Sequence, residues 1–261
     1  MIEERNDTAL PTTPDLRLDG RRALVTGAGR GIGLGAAAAL AEAGAEVTLV
    51  ARTVSEIEDV AKRIGERGQQ ATPVGLDISD HSAVDTFFAS SEPFHVLLNN
   101  AGTNRPMPMW EVTGDDYDAV LDLNLKSSYF VAQGCARQMI DHGIKGSLIH
   151  MSSQMGHVGG AKRSLYCASK WAVEGMSKAF ALDLAPHGIR SNTIAPTFIE
   201  TPMTKPFFQD RDFRAEVLGR IKLGRIGKVE DLLGAVVFLA GDASGLMTGA
   251  CLKIDGGWTA D

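Results

Sequence analysis

Thr26-Gly27-Ala28-Gly29-Arg30-Gly31-Ile32-Gly33 is the stretch on which the fold turns. It follows the aliphatic run 23–26 and leads straight into the Ala-rich pattern 32–43. Glycines here permit a tight turn and a close approach of backbone to a pyrophosphate. The helix that starts there offers free N–H donors and partial positive charge to the same anion. A Gly-rich turn alone is a weak signal; a strand before it and a helix after it give it meaning. The spacing, Gly27-x3-Gly31-x-Gly33, differs from the commoner dinucleotide fingerprint.

Outward from this turn, short aliphatic or β-branched runs alternate with helical patterns. Residues 23–26, 47–51, 72–76, 96–98, 147–151, 191–194 and 252–254 read as buried strands. Residues 32–43, 54–67, 115–139, 165–185 and 229–239 read as helices. Such alternation implies an α/β fold: a doubly wound, seven-stranded parallel sheet of Rossmann type with helices on both faces. Gly44, Gly68, Gly143 and Gly188 each follow a helical run, where a left-handed C-cap is wanted. No repeat, linker or low-complexity tract interrupts the pattern. One dinucleotide-binding domain is expected over 21–261, after a flexible polar arm at 1–20.

Hydrophobic residues make up 44% of the 261, enough for a substantial core. The net charge of −6 argues against a nucleic-acid partner, which calls for clustered positive charge. Cys135, Cys167 and Cys251 are odd in number and far apart, so neither a disulfide framework nor a metal site is expected. The apolar run 232–240 falls far short of the roughly 20 residues a bilayer requires. The N-terminus lacks the basic start and apolar run of a secretory signal, which makes the cytoplasm the expected compartment.

The end of the second strand is where an adenosine ribose would lie. An acid there favours NAD, and an arginine pairs the 2′-phosphate of NADP. The sequence reads Val50-Ala51-Arg52-Thr53. Arg52, helped by Arg30 in the turn, favours NADP, with NAD possible; the alternative reading of Arg52 is a capping residue of a surface loop.

Tyr166 and Lys170 lie four apart on a helical stretch and so share one face. A free tyrosine titrates at about 10, too high for a base at neutral pH. Lowering it by two or three units needs roughly 3–4 kcal/mol from Lys170 and a nicotinamide charge. Ser153 follows the strand 147–151, at the carboxyl end where open α/β sheets build sites. A hydroxyl there can orient or polarise a substrate oxygen. Asn124 is a polar residue inside the long helical stretch, read either as functional or as an exposed helix asparagine.

With these residues the chain resembles the short-chain dehydrogenase/reductase family. The motifs run in order: the glycine turn, Asn99-Asn100-Ala101-Gly102, Asn124, Ser153, Tyr166-x3-Lys170 and Pro196-Thr197-x3-Thr201. The resemblance implies an oxidoreductase that moves a hydride between nicotinamide and a carbonyl or alcohol carbon. It implies Tyr166 as general acid/base, Ser153 as hydrogen-bonding partner of the reacting oxygen, and Lys170 as nicotinamide-ribose ligand. It implies that Asn124 holds a water in a proton relay. The coenzyme would meet Gly27, Gly31, Ile32 and Gly33 at the turn, Asp77 and Ile78 at the adenine, and Gly102 beside the sheet. Asn99 would buttress the sheet, and Ile199 and Thr201 would hold the carboxamide. One departure is visible: Thr197 stands where the family usually has glycine, which implies a tighter or reshaped substrate pocket.

Substrate-facing candidates come from the variable segments. Arg105 can clamp a carboxylate or remain a solvated loop cation; Gln154, His157 and Phe198 are further candidates. The aromatic and Met residues over 197–225 read as a substrate lid or as core of a small helical subdomain. The overall run, including Asp255-Gly256-Gly257-Trp258, resembles the gluconate 5-dehydrogenase-like, sugar or polyol branch. That implies a hydroxy acid or polyol substrate and, from the apolar stretch 229–258, a homotetramer. Two other readings stand beside it. One is a 3-oxoacyl-thioester reductase with a docking patch at Lys145, Lys162 and Arg163; the other is an NADP-binding sensor that has lost its chemistry.

Overall fold

Alternating strand side chains bury on opposite faces, so each strand feeds two cores. In the computed structural model, which describes residues 10–260, Ala23 and Val25 join one apolar cluster and Leu24 joins the other. The strands are β1 (Arg22–Thr26), β2 (Glu46–Ala51), β3 (Ala71–Gly75), β4 (Val96–Asn99), β5 (Ser147–Met151), β6 (Arg190–Pro196) and β7 (Cys251–Ile254). They form one seven-stranded sheet of order β3-β2-β1-β4-β5-β6-β7, and every pairing is parallel. Pro73 is tolerated because β3 lies at the sheet edge. The chain reverses its direction of travel between β1 and β4, and the crevice for a ligand opens at such a switch point.

Helices α1 (Gly31–Glu42), α2 (Val54–Gly65), α6 (Ser164–Leu184) and α8 (Glu230–Ala240) match sequence expectations within a few residues. Two helices escaped that reading: α3 (His81–Ser90) and α7 (Arg211–Arg220). Both had a signal in their N-caps. The Asp80 carboxylate accepts from Ala83 N–H, and that of Asp210 accepts from Asp212 and Phe213 N–H.

The long helix expected at 115–139 is broken. It divides into α4 (Gly114–Leu121), a π-helical turn at Asp122–Ser127, and α5 (Ser128–Asp141). Such π turns concentrate at functional sites, and this one carries Asn124. The expected arm at 1–20 also ends early. Leu18 is 1% exposed and its N–H donates to the Ala43 carbonyl at 2.8 Å, so the packed fold begins before Arg21. Residues 1–9 of that arm lie outside the described residues. No described helix is long and apolar enough to cross a membrane.

Candidate active site

The glycine turn is shaped by close backbone approach. Gly27 and Gly31 have positive φ (65° and 57°), a region costly for other residues. A Cβ on Gly33 would collide with the Gly27 carbonyl and the Asn100 side chain. Asn100 Nδ2 holds the turn by donating to the carbonyls of Thr26 (3.0 Å) and Gly27 (3.3 Å). Arg30 caps α1 without a side-chain hydrogen bond, and the first turn holds no acid. The first amides of α1 thus face the cleft through Gly31 and Ile32 with their donors available for an anion. These features fit a dinucleotide pyrophosphate.

At the ribose end, Arg30 and Arg52 are largely exposed and line the cleft with Glu56 and Asp77. The ion pairs are loose, 3.7 Å for Arg30–Glu56 and 4.0 Å for Arg52–Asp77. Exposed pairs of this kind contribute about 0–1 kcal/mol, so both guanidinium groups are open to a stronger anion. Burial would raise the Asp77 carboxyl, but hydrogen bonds from the Ser79 hydroxyl and N–H, with the Arg52 charge, hold it below its usual range. Ile78 lines the adjoining wall.

The β4 end is fixed from within. Asn99 is buried, and its Nδ2 donates to the Ser128 carbonyl at 2.6 Å. Asn124 Oδ1 accepts from Thr103 N–H at 2.7 Å, while Nδ2 donates to the Thr103 carbonyl (2.9 Å) and Ser169 Oγ (3.0 Å). Both amide donors of Asn124 are therefore committed to protein, and its side chain pins the loop after β4. This corrects the expectation of an exposed helix asparagine, since Asn124 is buried and its side chain positions the loop after β4. Gly102 lies against it: a Cβ there would sit 3.1 Å from Asn124 Oδ1.

At the carboxyl end of β5, Ser153, Tyr166 and Lys170 line one wall of the cleft. Ser153 Oγ donates to Gln154 Oε1 at 2.7 Å and accepts from Met155 N–H at 3.1 Å, which fixes its position. Lys170 is 5% exposed, donates to the Met151 carbonyl at 2.8 Å, and stands 5.5 Å from the Tyr166 ring centroid. Burial pulls the ammonium down to about 8, against the pull of Glu174. Burial pushes the Tyr166 phenol upward, while the Ser153 hydroxyl and the Arg163 charge draw it down. In the protein without coenzyme the Tyr166 phenol is thus pushed up, because desolvation of the phenolate outweighs its neighbours.

The substrate candidates separate cleanly. Gln154 and Phe198 line the cleft, as do Ile199 and Thr201. Arg105 does not: its guanidinium pairs with Asp116 at 2.7 Å. His157 turns away as well, with Nε2 3.3 Å from both Glu174 Oε1 and Cys251 Sγ. Phe198 sits in an aromatic group with Phe208, Phe213 and Trp258, at centroid distances of 5.6–6.0 Å. That group braces the segment Thr201–Phe207, whose Thr201, Pro202, Met203, Thr204 and Phe207 cover the cleft. Sequence reasoning gave no site role to Asn100 and placed Arg163 on a docking surface. In the structure Arg163 is 6% exposed and lines the cleft from the N-cap of α6, three residues before Tyr166.

A family model described as Enoyl-(Acyl carrier protein) reductase matches residues 27–259. The D-erythrulose reductase of Gallus gallus is 37% identical over 94% of this chain and 98% of its own length. The gluconate 5-dehydrogenase of Gluconobacter oxydans (strain 621H) is 38% identical over 94% of this chain and 98% of its own. The crystal structure of a gluconate 5-dehydrogenase from Burkholderia cenocepacia J2315, in complex with NADP and tartrate, superposes with a TM-score of 0.90. It is 37% identical, over 94% of this chain and 98% of that one.

Proposed function

The chain belongs to the short-chain dehydrogenase/reductase family, and from that membership we propose an NADP-dependent reaction at a carbonyl or secondary alcohol of a sugar acid, ketose or polyol. The observation that carries the substrate class is polar. Asn104, Ser152, Ser153, Gln154 and Thr197 line the cleft with Tyr166, so its wall is rich in hydrogen-bonding side chains. A polyhydroxylated chain supplies partners for several such groups at once. Thr197, at the family's usual glycine position, adds one of them.

Bound NADP would supply the hydride chemistry, held by the glycine turn, Arg30, Arg52 and Lys170. Tyr166 hands a proton to the substrate oxygen in reduction and takes it back in oxidation, and Ser153 hydrogen-bonds the same oxygen. Asn124 keeps the wall around Thr103 in place. The exposed apolar side chains of Tyr129, Phe130 and Trp171 support assembly, and a cytoplasmic homotetramer is part of this reading.

The thioester alternative loses its docking patch. Lys145 precedes β5 while Lys162 follows it, so they stand toward opposite ends of the sheet, and Arg163 is buried. A chemically silent sensor fits poorly with a cleft that gathers Ser153, Tyr166 and Lys170.

The test is oxidation of NADPH and NADH, followed at 340 nm, against keto-sugar acids, ketoses, diketones and acetoacetyl thioesters. Turnover of a keto acid or ketose with NADPH is expected; activity confined to the thioester overturns the reading. Arg52→Asp lowers kcat/KM for NADPH by roughly 10- to 100-fold, the scale of a lost charge-assisted contact. An unchanged preference would remove Arg52 from the coenzyme site.

A further inference from the structure

Arg163 is the least explained charge in the molecule. It is 6% exposed, and no carboxylate pairs with it among the described residues. Its guanidinium stands over the Phe207 ring, 5.4 Å from the centroid. The acids that line the cleft are Glu56 and Asp77, both at the ribose end beside Arg30 and Arg52. The cleft that Arg163 lines also presents Ser153, Gln154, Tyr166 and Thr197, all neutral and polar. Burying an unpaired cation is expensive, and a site that keeps one has use for an anion. The planar guanidinium presents a fork of donors that matches a carboxylate bidentately. An aromatic ring beneath one face leaves that fork available at the edge.

We infer that Arg163 is the carboxylate subsite of the substrate cleft, so that the preferred substrate is a keto-sugar acid rather than a neutral ketose or polyol. This rests on the sugar-substrate reading above and narrows it. Arg163 is the N-cap of α6, three residues before Tyr166, and lines the same cleft, so a carboxylate held at the first anchors the chain whose carbonyl is presented to the second. Phe207 belongs to the segment that covers the cleft, so that segment forms one side of the subsite. Arg105, the clamp that sequence suggested, is held by Asp116 and takes no part.

The test compares 5-keto-D-gluconate with L-sorbose, the ketohexose that carries a hydroxymethyl group where the acid carries its carboxylate. Wild type, Arg163→Gln and Arg163→Lys are assayed at saturating NADPH. The ratio of kcat/KM for acid over ketose is expected to exceed one in wild type. In Arg163→Gln it falls about 10- to 100-fold, mainly through KM for the acid, and Arg163→Lys restores part of it. A kcat loss of equal size on both substrates, with a shifted pH profile, would mean that Arg163 acts through Tyr166, and would overturn the subsite. Turnover of neither substrate would end the sugar reading without deciding the subsite. Calorimetric binding of D-gluconate to the NADP-loaded full chain then decides it. Binding weakened at least tenfold in Arg163→Gln supports the subsite, and absent or unchanged binding overturns it.

Discussion

Tyr166→Phe is expected to lower kcat by about 10²- to 10⁴-fold, the range of a lost general acid/base, while the Kd for NADPH is unchanged. The ring remains to pack in its buried place, and only the proton-carrying oxygen is removed. The direction of the Tyr166 shift adds a second, internal check. Burial favours the neutral phenol, which is the proton donor for reduction. Reduction is therefore fast and flat across neutral pH, whereas oxidation, which needs the phenolate, rises as pH increases. Both limbs disappear in Tyr166→Phe. Rate profiles in the two directions, with fluorescence titration of NADPH, measure all three outcomes, and a variant retaining most of its kcat would displace Tyr166 from the mechanism.

Lys170→Met is expected to destroy activity and stabilise the protein. The ammonium is buried, donates to the Met151 carbonyl, and sits at about 8 when folded against 10.5 unfolded. The folded value is the lower one, so the unfolded chain binds more protons between about 8 and 10.5. Stability therefore rises with pH through that window, and below it the buried charge costs about 3 kcal/mol. Losing the hydrogen bond to Met151 returns about 1 kcal/mol of that. The net gain of about 2 kcal/mol near pH 7 raises Tm by roughly 4–8 °C without coenzyme. In the same variant kcat/KM for NADPH reduction falls at least about 100-fold, because Lys170 serves both coenzyme and Tyr166. Thermal melts of both proteins from pH 6 to 10.5 read the stability; a variant that melts lower at pH 7 and keeps the wild-type slope would refute this account of the buried lysine.

What was legible in the sequence follows periodicity and local spacing. The strands were visible because buried parallel strands are continuous aliphatic runs, and Ser153, Tyr166 and Lys170 because they recur at fixed offsets from strand and helix ends. The π turn at Asn124 was not legible: the residues of 115–139 keep a helical composition, and only the backbone of Asp122–Ser127 shows the register change. Spacing gives the neighbours of Tyr166 but not the desolvation a closed wall imposes on it. The partners of Arg105 and Arg163 were hidden for the same reason. Each is an arginine in a variable loop, and which one meets an acid is decided by a partner 11 residues away in one case and by none in the other. Arg163 is the N-cap of α6 and precedes its helical pattern, so the spacing that joins Tyr166 to Lys170 did not extend to it.

The central claim is that this cleft passes hydride to a substrate carbon while Tyr166 handles the proton. Reduction of a keto-sugar acid with NADPH deuterated at both C4 positions tests it most directly, with the product examined by mass spectrometry and NMR. The account predicts one deuterium on the new carbinol carbon, none on its oxygen after exchange in water, and product formed about 10²- to 10⁴-fold more slowly with Tyr166→Phe. Product carrying hydrogen from solvent at that carbon, or oxidation of the coenzyme with no deuterium in the product, would contradict it.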